Sequence, residues 1–140
     1  MNRDHERAQL AHEQVEAIRG ATGGDGGVKR RKAYGAACHK LPILVHQAGL
    51  AAALHHLAAL RVAGGYKGKL LDHLAAQAHA AGLLTSHSRA SLLQMSRSTS
   101  PAEVQRLTRE IQRSLEWYKR FATMILKVES AEQDEEDERE

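Results

Sequence analysis

Apolar residues recur at helical spacing along most of this chain, and nowhere do they alternate as a strand requires. The spacing predicts a first helix over about Asp4 to Arg19, with Ala8, Ala11, Val15 and Ile18 facing inward. Asp4 and Glu6 fall in its first turn, where negative charge suits the helix dipole. Tyr34, Ala37, Leu41, Leu44 and Ala48 mark a second helix beginning near Val28. Pro42 sits inside that stripe, removes a backbone donor and presses on the carbonyl of Cys38, so a kink or short break is expected. Gly49 can take the left-handed conformation that closes a helix, and Leu50, Ala53, Leu54 and Leu57 form a third stripe ending near Arg61. Gly64-Gly65 then interrupts the chain. A fourth helix is predicted from about Tyr66 to Ala81, burying Leu70, Leu71, Leu74, Ala78 and Ala81 and closed by Gly82. A short fifth, Ser88 to Ser96, offers Leu92, Leu93 and Met95.

The last helix has the plainest start. Ser100-Pro101-Ala102-Glu103 places a capping serine, a proline at the first helical position and a glutamate three residues on. Val104, Leu107, Ile111, Leu115, Tyr118, Ala122 and Ile125 carry its stripe to about Val128, a length of roughly 42 Å. The expected fold class is all-α: a single-domain helical bundle of about five to six helices with a long C-terminal helix, spanning residues 1–128. Leu44, Leu54, Leu74, Leu107, Ile111 and Phe121 are its expected core.

Composition agrees with this pattern. An apolar share of 42% over 140 residues suffices for one core. No run of about eighteen apolar residues exists to span a membrane, and the charged start Met1-Asn2-Arg3-Asp4-His5-Glu6 lacks a secretory apolar stretch. The lone cysteine, Cys38, excludes an internal disulfide and suits a reducing cytoplasm. Five glycines in Gly20 to Gly27 read as a mobile loop.

Charge divides the chain in two. Residues 129–140 hold eight acids and one arginine, and are expected to form an acidic, disordered tail. Residues 1–128 hold nineteen Lys and Arg against nine acids, a basic body that suits a polyanionic partner. The candidate RNA-binding residues are Lys29, Arg30, Arg31 and Lys32 at the start of helix two, Lys40 further along it, and Lys67 and Lys69 at the start of helix four. Such cations neutralise phosphates without reading sequence. For Lys29 to Lys32, contact with a nucleic acid or an acidic subunit and simple solvation stand level, though cations at a helix start oppose the dipole. On the last helix Arg106, Arg109, Arg113, Lys119 and Arg120 read better as a solvated face, balanced partly by Glu103, Glu110 and Glu116.

Catalytic and metal chemistry find little support. No two of the nine histidines are three or four residues apart and Glu-x-x-His does not occur, so no metal and no cofactor are assigned. Cys38 and His39 are helix neighbours that do not face each other, and no phosphate loop or nucleophile elbow is present. Catalytic residues are therefore none. Trp117, Tyr118 and Phe121 could stack on bases, but core packing accounts for them better.

One resemblance sharpens these readings. Arg7-Ala8 through Val15, Tyr34 followed by Lys40-Leu41-Pro42, the Gly49-Leu50 corner and Trp117 through Ala122 occur in an order and spacing that resembles the small helical subunit of the type III-B CRISPR (Cmr) RNA-guided effector complex. The resemblance implies a non-catalytic structural subunit, no enzyme, stacking along guide and target RNA beside the backbone subunits in cytoplasmic antiviral defence. It implies as partners the other complex subunits, further copies of this chain, and guide and target RNA. The related type III-A small subunit and a free-standing helical nucleic-acid binder remain alternatives. His55-His56 departs from the family pattern where an apolar or aromatic residue is usual, so looser packing is expected there. The glycine-rich loop and the acidic tail look like additions to it.

Overall fold

The computed structural model describes residues 2–60 and 62–131, and among them it is built from helices without strands. They are α1 (Arg3–Ala21), α2 (Gly27–Ala48), α3 (Leu50–Ala59), α4 (Lys69–Ala80), α5 (Arg89–Ser96) and α6 (Pro101–Met124), with a 3-10 segment, Val62–Gly68, leading into α4. None of these helices is long and apolar enough to cross a membrane. The acidic tail expected over 129–140 lies outside the described residues from 132 onward.

α6 is the spine. Ser100 caps it by accepting a hydrogen bond from the Glu103 backbone N–H, and α6 packs most extensively against α1 and α2. Leu107, Ile111, Leu115, Tyr118 and Ala122 are fully buried along one face. The helix ends at Met124, four residues before the expected Val128, because Lys127 adopts a positive φ of 61° and the Val128 N–H bonds back to the Ala122 carbonyl. That reversal buries Leu126 and Val128.

α2 runs unbroken through Pro42, so the expected break does not occur. Its middle, from Ala33 to Cys38, is buried on every side, where a one-sided stripe was expected. Beyond Cys38 it buries only Leu41 and Val45. Leu44 is therefore half-buried and Ala48 exposed, and neither belongs to the core as expected. Phe121 is also half-buried, at the seam between α1 and α6. Leu54, Leu74, Leu107 and Ile111 are fully buried.

The glycine-rich stretch is a tight turn rather than an open loop. α1 continues to Ala21, and the buried Thr22 hydroxyl donates to the Ile18 carbonyl 2.7 Å away. Gly27 then passes so close to Thr22 that an added Cβ would lie 1.9 Å from its carbonyl oxygen. At the α2–α3 corner Gly49 has φ 89° and ψ 163°, a region open essentially to glycine alone. Gly82, φ 79°, ends α4 with the paired bonds from its own N–H to His79 and from the Leu83 N–H to Ala78.

Gly35 is the point where the ends of the fold meet. A Cβ there would sit 2.5 Å from the Cβ of Val128, so α2 and the segment after α6 touch only because position 35 has no side chain. Gly35→Ala is expected to cost about 1–3 kcal/mol through overpacking, which outweighs the gain of up to about 1 kcal/mol in helix propensity. Gly20→Ala, also in a helix but with nothing within 4 Å of an added Cβ, should be neutral or stabilising. Thermal melts of the two variants measure the contrast.

Candidate nucleic-acid interface

Two helix starts bring cations onto one aromatic ring. The first turn of α2 contains Lys29 and Arg30 and no acid, and its N-cap is Gly26, which supplies no side-chain acceptor. The 3-10 segment carries Tyr66 alongside, and α4 begins at Lys69. The Arg30 guanidinium carbon lies 5.8 Å and the Lys69 ammonium 5.1 Å from the centre of the Tyr66 ring. Each contact is worth about 0.5–1 kcal/mol at an exposed site. Two cations held beside one ring leave their like charges unneutralised by each other, which favours an anion between them.

The other candidates separate into two roles. Arg31 turns away and donates to the Thr22 carbonyl at 3.2 Å, pinning the α1–α2 turn, while its Nε is buried without a hydrogen-bond partner. Its work is structural, and the charge run Lys29 to Lys32 is therefore not one uniform patch. Lys32 is half-buried on the same helix. Lys40 and Lys67 line a groove of about 200 Å³ between α2, α3 and the 3-10 segment, with Ala36, Leu41, Leu57, Leu60, His56 and Ala131 among its walls. Positions 29, 32, 36 and 40 recur at helical spacing, so Lys29, Lys32 and Lys40 share the side of α2 that holds this groove.

A polar cluster that sequence reasoning missed holds the opposite ends of the chain together. Glu110 of α6, expected among the exposed balancing acids, is 5% exposed. It accepts a two-pronged pair of hydrogen bonds from Arg7 of α1, Nε at 2.7 Å and Nη2 at 2.8 Å. Ser114 donates to it at 2.9 Å and Arg3 at 3.3 Å. Burial pushes the Glu110 carboxyl up, but the bonds from Arg7, Arg3 and Ser114 outweigh it and hold the carboxyl below its ordinary value. The buried Gln77 of α4 donates to the Arg7 carbonyl at 3.0 Å and to the Tyr118 hydroxyl at 3.2 Å. Tyr118 in turn donates to Gln14. The only sequence signal was the pairing of an early arginine with a late acid, which spacing along one helix cannot reveal.

Because Glu110 is spent on Arg7, it does not neutralise its own helix. Arg106, Arg109 and Arg113 line a cleft beside Arg3, Arg7 and Glu110, and none of the three makes an ion pair among the described residues. Glu103 accepts from Ser98 instead. Arg120 lies 4.8 Å from the centre of the Trp117 ring, and the Trp117 N–H donates to Asp4 at 3.1 Å. That hydrogen bond leads the causes that lower the Asp4 carboxyl. Trp117 stacks on Phe121, which meets His12 edge-on. The ring pair thus packs at the α1 seam.

The cysteine and several histidines are held by burial and hydrogen bonds. Cys38 is fully buried and burial pushes its thiol well up, the reverse of an activated nucleophile. His39 bonds the Val128 carbonyl at 2.7 Å. The Tyr34 hydroxyl and His73 Nδ1 share a hydrogen bond of 2.6 Å, and burial lowers the His73 pKa to about 4, so His73 is neutral at pH 7. His55 is half-buried and His56 exposed; His55 Nδ1 donates to the Ala51 carbonyl and Nε2 accepts from Arg97 at 2.6 Å. Among the described residues no group of three His, Cys, Asp or Glu could hold a metal.

Two measurements follow from these buried groups. Glu110→Gln leaves Arg7 buried without its counter-charge and should cost about 3–5 kcal/mol, whereas Glu6→Gln, which loses only a half-exposed partner of Arg3, should cost under about 1 kcal/mol. Urea unfolding of both variants gives the comparison. For His73, the unfolded imidazole takes up a proton below its ordinary pKa of 6.5 while the folded one resists until about 4. Stability should therefore fall as pH drops from 6.5 to 4, by roughly 3 kcal/mol in all, and His73→Asn should flatten that window in urea titrations.

Comparison with known proteins agrees with the chain's architecture. The family described as "CRISPR-associated protein (Cas_Cmr5)" matches residues 3–125. No curated protein matches. Among solved structures, the crystal structure of a CRISPR-associated Cmr5 family protein from Thermus thermophilus is similar with a TM-score of 0.68 and 31% identity, covering 89% of this chain and 97% of that one. With that match over residues 3–125 and that structural likeness, the chain belongs to the Cmr5 family, the small subunit of the type III-B CRISPR Cmr complex.

Proposed function

We propose that this chain is a non-catalytic structural subunit that contacts the RNA backbone within the type III-B effector. The observation that carries the reading is the convergence of Arg30 and Lys69 on Tyr66, with Lys29 in the same turn and Lys40 and Lys67 on the adjoining groove. Cations from two elements on one face fit a phosphate backbone, and nothing in that arrangement can read a base edge. Sequence choice then belongs to pairing between guide and target RNA. The subunit stacks beside the backbone subunits and further copies of itself, in the cytoplasm, in antiviral defence.

Each copy offers only a few cations, so the isolated chain binds RNA weakly. Repetition of the face along an assembly multiplies the effect, because each further contact is intramolecular. Lys29, Arg30 and Lys69 are exposed, so their joint replacement by alanine is expected to leave the chain folded, with a loss of stability no larger than that of the two Tyr66 contacts, about 1–2 kcal/mol. In assembled complexes it should weaken target RNA binding regardless of sequence and lower the salt slope by about 2 for each copy in contact. A salt titration of target RNA with complexes carrying either version measures this. Unchanged affinity and slope would assign the three residues to solvation. Failure of the chain to enter the complex at all would leave the free-standing nucleic-acid binder as the reading.

A further inference from the structure

We infer that the face of α6 beside the end of α4 is a docking trough for an extended acidic peptide segment of a partner protein, one with carboxylates at one end and an aliphatic side chain beyond them. The inference stands apart from the RNA contact, which lies at the other end of α4. Two adjoining hollows make the trough. The first, of about 230 Å³, holds Arg106, Arg109 and Arg113 together with Leu83. The second, of about 250 Å³, holds Leu83, Met95, Glu103 and Arg106. Leu83 and Arg106 wall both hollows, so the trough follows α6 from Arg113 to Glu103. That stretch of helix rises about 15 Å, the length of roughly four residues of extended chain.

Charge sets what fits one end. Five arginines line the first hollow against one carboxylate, Glu110. Glu110 is held by Arg7, Arg3 and Ser114, and Arg106, Arg109 and Arg113 are exposed with no ion pair among the described residues. The three recur at i, i+3 and i+7, on one side of α6. A guanidinium meets a carboxylate through two parallel hydrogen bonds, so this row takes acids spaced along a strand. Further along, Leu83 and Met95 are half-buried and suit one apolar side chain, the thioether being adaptable in shape.

The same features disfavour nucleic acid. A single-stranded RNA site combines cations with rings on which bases stack, as Tyr66 offers beside Arg30 and Lys69. Among the described residues lining the trough, none carries an aromatic ring. RNA also bears a charge at every nucleotide and would lay one against the exposed Glu103 at the far end. A peptide can set its acids at the arginines and leave the rest neutral.

The first test uses the full-length chain and a synthetic probe, an acetylated and amidated octapeptide of glutamates and aspartates followed by one leucine. At millimolar peptide, backbone amide signals of residues 81–84, 95 and 103–113 should shift. Binding should weaken about fivefold or more in Arg106→Ala/Arg109→Ala/Arg113→Ala, the scale of three exposed ion pairs, with the amide spectrum showing that the variant is folded. Arg30→Ala/Lys69→Ala should leave the titration unchanged. Changing the peptide's leucine to serine should weaken binding several-fold. Equal binding of the serine peptide makes the face a plain cationic patch and overturns the inference. Shifts centred on Tyr66 and Lys69, or no shift in the trough, also overturn it.

The second test reads the occupant in the assembled complex. Arg109 is replaced by a benzophenone-bearing residue, with Arg106 and Arg113 kept, and the complex is irradiated. Mass spectrometry should find the cross-link on an acidic stretch of another protein subunit. A cross-link to RNA or to a second copy of this chain, or none to protein, overturns the choice of partner.

Discussion

The bundle depends on a buried charge pair. Arg7 and Glu110 come from the first and last helices, and their two-pronged contact fixes α1 on α6 in one register and one orientation. A pair of this kind adds little net stability over apolar residues, since desolvating both charges offsets most of their attraction. It is intolerant of any alternative arrangement, however, because a shift of one turn strands both charges. Gln77 extends the constraint to α4 by bonding the Arg7 backbone and the Tyr118 hydroxyl. Three helices are thus aligned by polar groups, and the leucines pack around an alignment already set.

Local signals carried most of the fold. Ser100-Pro101 started α6, Gly82 stopped α4 and Gly49 made the α2–α3 corner, each through chemistry confined to a few neighbouring residues. What escaped reading involves partners far apart in the chain. Glu110 looks like a surface acid until Arg7 is placed opposite it. Gly35 looks like a weak point in a helix until Val128 arrives from the far end. Pro42 shows a different limit: α2 absorbs the lost hydrogen bond within a continuous helix, since packing overrides a local penalty. The burial of α2 all round from Ala33 to Cys38 also follows from its central position, which a stripe of leucines elsewhere does not announce.

The basic residues show how far charge alone can be read. Arg30 and Arg31 are adjacent and chemically identical, yet one flanks Tyr66 and the other holds the Thr22 carbonyl. Their roles diverge because neighbours in a helix point about 100° apart, so one meets the 3-10 segment and the other the α1–α2 turn. On α6 the same logic runs in reverse. Arg106, Arg109 and Arg113 looked balanced by Glu110, but that acid points inward and its charge is consumed by α1. Counting charges along a helix therefore misjudges both faces when one of them is buried.

The seam between α1 and α6 also sets the order in which the protein can mature. α1 leaves the ribosome first, with Arg7, Ala11 and Val15 facing a partner not yet made. Contacts this distant in sequence form late and slowly. Until α6 is synthesised, Arg7 has only Asp4 of its own helix as an acidic partner, the apolar stripe of α1 lacks the α6 face it packs on, and α2 lacks the valine that seats at Gly35. The last helix to be made is thus the one that closes the core over the first, so the native seam exists only once α6 has been synthesised.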